Sequence, residues 1–215
     1  MCSGLITSKM KKPEIQVRRK PRQSRAIVTQ DALLESFVRL LHERPADKIT
    51  IREMTDLAGV GLGTFYEYFS KKEDLIALAI HKHVKLNAEK IHLYAQQLEL
   101  KLLIKDYLSQ VVHYQLQQIQ AQQFLWAQTF LLERQISNID SYRKSYAMMI
   151  NMWENILKNW ISDIQDLKHL SLHIQRICYG FVSQSLLIDP DFADWQTLEN
   201  DILESIHPLL SKFAN

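Results

Sequence analysis

Apolar residues recur three and four positions apart along most of the chain, the period of a helix with one buried face. Leu33, Phe37, Leu40 and Leu41 predict a first helix running from Thr29 as cap to about Arg44, closed by Pro45. Ile51, Met54, Leu57 and Ala58 give the apolar face of a second, and Phe65 and Phe69 share the inner face of a third that spans Gly61 to Phe69. A fourth runs from Lys71 towards Leu98 without a linker before it. Leu102 to Gln120 and Phe124 to Gln135 read as two more. Ser141 to Ile164 then repeats Tyr142, Tyr146, Met149, Trp153, Ile156, Trp160 and Ile164 as a buried stripe. Leu170 to Ile188 is broken by Asp189-Pro190. Asp194 caps a last helix carrying Leu198, Ile202, Ile206, Leu209 and Phe213, whose regular part Pro208 ends near Ile206. No stretch alternates with the period of a strand. The fold class is therefore all-α, divided into an arm (1–25), a compact helix-turn-helix unit (26–75) and a larger helical domain (76–215).

The segment TIREMTDLAGVGLGTFYEYFSKKEDL, residues 50–75, has the densest local grammar. Thr50 and Glu53 make a Thr-x-x-Glu capping box, which starts a helix by satisfying two amides of its first turn. Gly59 supplies the positive φ that ends it, and Val60 is an apolar plug behind the turn. About two turns of helix follow, enough to lie in a major groove. Ser70 and Glu73 form a second box, so a long helix begins at once.

These residues resemble the DNA-binding domain of the TetR (tetracycline-repressor-like) family of bacterial transcriptional regulators. Thr50, the Ala58-Gly59-Val60 turn, the Gly63-Thr64-Phe65-Tyr66…Phe69 helix and Lys72-Glu73 match the family pattern in order, and the resemblance covers roughly residues 18 to 80. It implies a homodimeric repressor that leaves a palindromic DNA operator when a small-molecule effector binds the larger domain, with the last two helices pairing the subunits. It further implies that Thr50, Thr64, Tyr66 and Lys72 touch phosphates or bases. The chain departs from the family at Gly61 and Leu62, where polar or basic residues are usual. Leu62 can pack on a thymine methyl and Thr64 can bond a base edge, so specificity is expected from methyl contacts, the basic arm and DNA shape. Lys71 stands where the family carries a small capping residue, a role expected to pass to Ser70. The same front end would serve a transcriptional activator or a ligand-independent DNA binder.

Charge sharpens this picture. Residues 1–25 hold eight Lys and Arg against Glu14 alone, a net of +7 in a chain of +2, so the other 190 residues sum to −5. Residues 18–25 of this arm are expected to be attracted to phosphates, with Arg22 or Arg25 entering the neighbouring minor groove, whereas residues 1–17 read as a solubilising tail. Cys2 and Cys178 do not form an expected disulfide, the start lacks a secretory signal, and no apolar run is long enough to span a bilayer. A cytoplasmic protein without a membrane partner is expected.

The middle helices are where an effector would sit. Tyr107, His113, Phe124, Trp126, Phe130, Tyr142, Tyr146, Met149 and Trp153 offer aromatic and thioether surface suited to a largely apolar or planar molecule, although aromatics at this spacing commonly serve as core. The pairs His169/His173 and His81/His83 lack a third ligand nearby, so no metal and no cofactor is expected. The chain has no phosphate loop, nucleophile elbow or HExxH helix, and its carboxylates lie mainly beside Lys or Arg on helix faces. An enzyme is not expected. A membrane-surface or protein-binding helical bundle would account for the basic arm but not for two capping boxes around a glycine turn.

Overall fold

The computed structural model describes residues 24–136 and 139–213. Among them the secondary structure is helical: α1 (Ser24–Leu41), α2 (Ile51–Leu57), α3 (Leu62–Tyr68), α4 (Lys72–Gln97), α5 (Ile104–Gln120), α6 (Gln123–Ile136), α7 (Ile139–Leu157), α8 (Ile164–Ile188) and α9 (Trp195–Ile206), with short 3-10 turns at Ala46–Lys48 and His207–Phe213. Two packing groups share α4. α1 packs on α2, and α2 on α3. α4 packs on α1 at its N-terminal end and on α5, α6 and α7 further along. α8 lies against α6, α7 and α9, and α9 closes onto α5. The apolar core runs through both groups without a gap, from Leu33, Phe37 and Phe65 through Leu75 and Ile91 to Trp153 and Ile202.

Local signals place most helix ends. Thr50 caps α2 as expected: its hydroxyl accepts the Glu53 amide at 3.2 Å, and the Glu53 carboxylate takes the Thr50 amide at 2.8 Å. Gly59 adopts φ 68° and closes α2, with the Val60 amide reaching Thr55 O at 3.0 Å and the Gly59 amide reaching Asp56 O at 3.2 Å. That pair of crossed bonds is a Schellman end, and Val60 packs on the core behind it. Asp194 accepts the Thr197 amide at 3.2 Å and starts α9. Regular α-helix then stops at Ile206, since Pro208 has no amide to donate, and the chain tightens into a 3-10 turn.

Three boundaries differ from expectation. α1 begins at Ser24, so Thr29 lies inside it; no glycine or proline separates residues 24–44, and nothing there obliges a later start. The stripe expected to continue to Ile164 breaks at Leu157. The Asp163 carboxylate accepts the amides of Gln165 and Asp166, both at 2.9 Å, and so begins a new helix. The intervening turn still buries Ile161, while Ile164 emerges exposed at the start of α8. At α4, Lys71 takes the cap position without a side-chain bond, and it is Asp74, not Glu73, whose carboxylate accepts the Ser70 amide, at 3.2 Å.

Candidate DNA-reading surface and ligand cavity

The outer face of α3 is built by what its inner face buries. Phe65 and Phe69 are fully buried with rings 5.4 Å apart, and Tyr68 is buried beside them. These anchors turn Leu62 and Tyr66 outward, 42% and 44% exposed, with Thr64 half-buried between them. A side chain at Gly61 or Gly63 would meet no neighbour within 4 Å, so a partner can approach the backbone on both sides of Leu62. The exposed side chains of α3 are Leu62, at its first turn, Tyr66 and Glu67.

Two of the residues expected to touch phosphates or bases make bonds within the protein. Thr50 is exposed, but its hydroxyl is held by Glu53, accepting its amide and donating to Oε2 at 2.8 Å. Glu53 also takes Arg44 Nη1 at 2.8 Å, tying the end of α1 to the start of α2. The Thr50 amide and hydroxyl, then the Arg44 guanidinium, hold the Glu53 carboxyl below its ordinary range. Lys72 points back under the reader: its Nζ donates to Ala46 O and Ile49 O, both at 2.9 Å, fastening α4 to the turn that precedes α2. Arg22 lies outside the described residues, and Arg25 is placed only as backbone in the first turn of α1.

Behind this unit, α4, α5, α6, α7 and α8 line a partly open cavity. Five of the nine expected ligand residues line it: Trp126, Phe130, Tyr142, Tyr146 and Met149. The other four face elsewhere. Tyr107 sits more than two turns before the cavity residues of α5, its hydroxyl donating to Ala95 O at 2.9 Å and its ring 4.2 Å from Trp160. His113 is exposed, bonded to Glu199 of α9 at 2.9 Å. Phe124 is exposed and stacks on His42 at 4.8 Å, bridging α6 to the end of α1. Trp153 is fully buried and donates its indole N–H to Gln175 Oε1 at 3.2 Å. It supports a lining residue without being one.

Apolar spacing alone does not point to the polar part of the lining. Asn87, Gln115, Thr129, Glu133 and Gln175 are all buried and all line the cavity. Asn87 Nδ2 and Gln115 Oε1 have no hydrogen-bond partner. Glu133 accepts the Tyr179 hydroxyl at 2.9 Å, and burial raises its carboxyl above the ordinary value. The sequence does hold one signal: Glu133 falls three residues after Phe130 and seven after Trp126, on the stripe that faces the core.

Between cavity and reader, His83 of α4 lies with its ring 4.4 Å from Trp126. Burial, then Lys90, depresses it to about 4, and its Nε2 has no partner. The His169 and His173 rings meet at Nε2···Nε2 3.0 Å. No group of three or more potential metal ligands occurs among the described residues, and no helix among them is long and apolar enough to cross a membrane.

Comparison with known proteins agrees with this architecture. Residues 33–79 match the family of bacterial regulatory proteins, tetR family. No curated protein matches the sequence. Solved structures with the same fold include a putative TetR-family transcriptional regulator from Mesorhizobium loti MAFF303099, at 13% identity and TM-score 0.69, covering 91% of this chain and 100% of that one. A TetR transcriptional regulator from Rhodococcus sp. RHA1 has 16% identity and TM-score 0.64, covering 87% and 98%. The regulator FadR from Bacillus subtilis, in complex with stearoyl-CoA, has 21% identity and TM-score 0.60, covering 86% and 97%.

Proposed function

Since residues 33–79 form a tetR-type DNA-binding domain and the chain as a whole has the fold of TetR-family transcriptional regulators, we propose that it is a homodimeric repressor released from a palindromic operator by a small effector. One observation carries the reading. α4 is fastened beneath the reader through Lys72 and, four turns on, supplies Val84 and Asn87 to the cavity wall. A molecule that moves this wall acts on the element that positions α3. FadR, with its stearoyl-CoA, is an example of the same fold holding a ligand.

The dimer supplies the remaining logic. One seven-residue recognition helix covers few bases, whereas a two-fold pair reads two half-sites about one helical turn apart. Ile177, Gly180 and Phe181 form a half-buried row on α8, which with α9 offers the surface for a second copy. Because duplex DNA fixes the half-site separation, an effector that binds better to another spacing lowers operator affinity by that difference. Specificity comes from Leu62 and Thr64 in the major groove and from Arg22 or Arg25 beside it.

Selection of bound duplexes from a random library with full-length protein, across a salt series, tests the reading. Enrichment of a palindrome, followed by its release on adding a member of a small-molecule panel, is the expected result. Binding without a motif that merely fades with salt would overturn it.

A further inference from the structure

The polar groups of the cavity define what it can accept. Glu133 is the one lining residue with a formal charge, and it sits low in the cavity wall, 7% exposed. Its Oε2 accepts the Tyr179 hydroxyl at 2.9 Å. The nearest guanidinium, Arg134, acts on the carboxyl through its charge, while its N–H groups donate to Phe130 O at 2.9 Å and Ser183 Oγ at 3.2 Å and its Cζ lies 5.8 Å from the centre of the Tyr179 ring. Arg176, also exposed, is held by the Tyr146 hydroxyl at 3.3 Å. Neither arginine lines the cavity. A carboxylate in such a place is costly until a positive partner joins it. Aromatic residues, Trp126, Phe130 and Tyr146 among them, line the same cavity, and the face of such a ring attracts a cation. The unpartnered Asn87 Nδ2 and Gln115 Oε1 add one donor and one acceptor to the same wall.

From this set we infer that the effector is an organic cation: an apolar, ring-bearing body with a protonated nitrogen that donates to Glu133. The inference deepens the effector reading above and rests on it. A fatty acid, acyl phosphate or other anion would place a second negative charge beside Glu133 with no cationic lining residue to offset it. A neutral hydrocarbon would fill the space and leave Asn87 Nδ2 and Gln115 Oε1 unpaired and Glu133 without a counter-charge in the lining.

Two three-ring fluorophores of similar outline separate these cases: proflavine, a cation with N–H donors, and anthracene-9-carboxylate, an anion. Binding of each to full-length protein, without DNA, is read by fluorescence polarisation and by quenching of tryptophan emission. Proflavine is expected to bind more tightly than the anion. Glu133→Gln should weaken proflavine by about ten- to a hundred-fold, the range for losing a charge-assisted bond in a dry site, and should not weaken the anion. Tyr179→Phe, a milder change that frees Oε2, should weaken proflavine by only about threefold or less, leaving the order of the two probes intact. It keeps the test alive if Glu133→Gln does not fold, folding being followed by circular dichroism. Equal or tighter binding of the anion, no binding of proflavine, or a preference that survives Glu133→Gln would overturn the cation assignment. Operator release by some other molecule in the panel would then leave the effector-responsive reading standing, whereas release by none would remove that reading as well.

Discussion

In the reader, polar side chains are turned mostly on the protein itself. Thr50, Glu53 and Arg44 hold one another, and Lys72 and Asp74 hold backbone, although Arg44 Nε and Asp74 Oδ1 stay unpaired. What the reader offers outward on α3 is Leu62, Tyr66, Glu67 and bare backbone at two glycines. The larger helical domain, the proposed sensor, does the reverse. Its rings and aliphatics pack, and the Asn87 and Gln115 amides line a cavity with bonds still open. A recognition surface need not be polar if phosphates and shape set its affinity, whereas a cavity that discriminates among small molecules must keep some polar groups unspent.

The sharpest way to break this contrast is to ask whether the two regions are separate at all. Trp153→Ala in the sensor removes a fully buried indole and should cost about 3–5 kcal/mol. Since one core runs through both regions, thermal unfolding should stay a single transition, with signals from reader and sensor shifting together. Two transitions, only one of them shifted, would show that the regions fold independently.

Next comes the His83 ring at their junction. Its folded value of about 4 lies below the ordinary 6.5. Above pH 6.5 the ring is neutral in both states and native stability is intact. Between pH 6.5 and about 4 the unfolded chain takes the proton first, so stability falls by on the order of 3 kcal/mol at most. Below that the loss stops. Chemical denaturation as a function of pH should show this slope in the natural protein and a flatter one in His83→Phe; equal slopes would mean that His83 opens to solvent.

Lys72 distinguishes a clasp from a phosphate contact. Lys72→Met should lower stability by about 1–3 kcal/mol as Ala46 O and Ile49 O lose their donor. The dependence of DNA affinity on salt should hardly change. A log–log slope reduced by about 0.9 would instead assign Lys72 to a phosphate.

Leu62→Ala is the smallest effect. On an operator obtained by selection it should cost about 1 kcal/mol, and less on the same site with uracil replacing thymine. Equal losses on both would remove the methyl contact.

The same division explains what the sequence could tell. Thr50, Gly59, Asp194 and Pro208 act on backbone within four residues of themselves, so their consequences are readable in place. Asp163 acts in the same way, but the apolar stripe continuing past it hides its cap. The cavity depends on how five helices are rotated about their axes. Helical spacing puts Tyr107 and Trp126 equally on buried faces but does not say which buried face meets a void. Expecting an apolar site also passes over Asn87, Gln115 and Glu133, whose burial follows from partners remote in the chain.

α4 is one unbroken helix of 26 residues, about 39 Å long, and the span from Lys72 to Asn87 is about 22 Å of it. It is a lever. With the fulcrum near the cavity, each degree of tilt carries the far end through about 0.4 Å, so a tilt of about five degrees moves the reader by roughly 2 Å. In the proposed repressor, a side-chain adjustment no larger than a rotamer change around a bound effector would in this way become a displacement on the scale of a hydrogen bond at the groove.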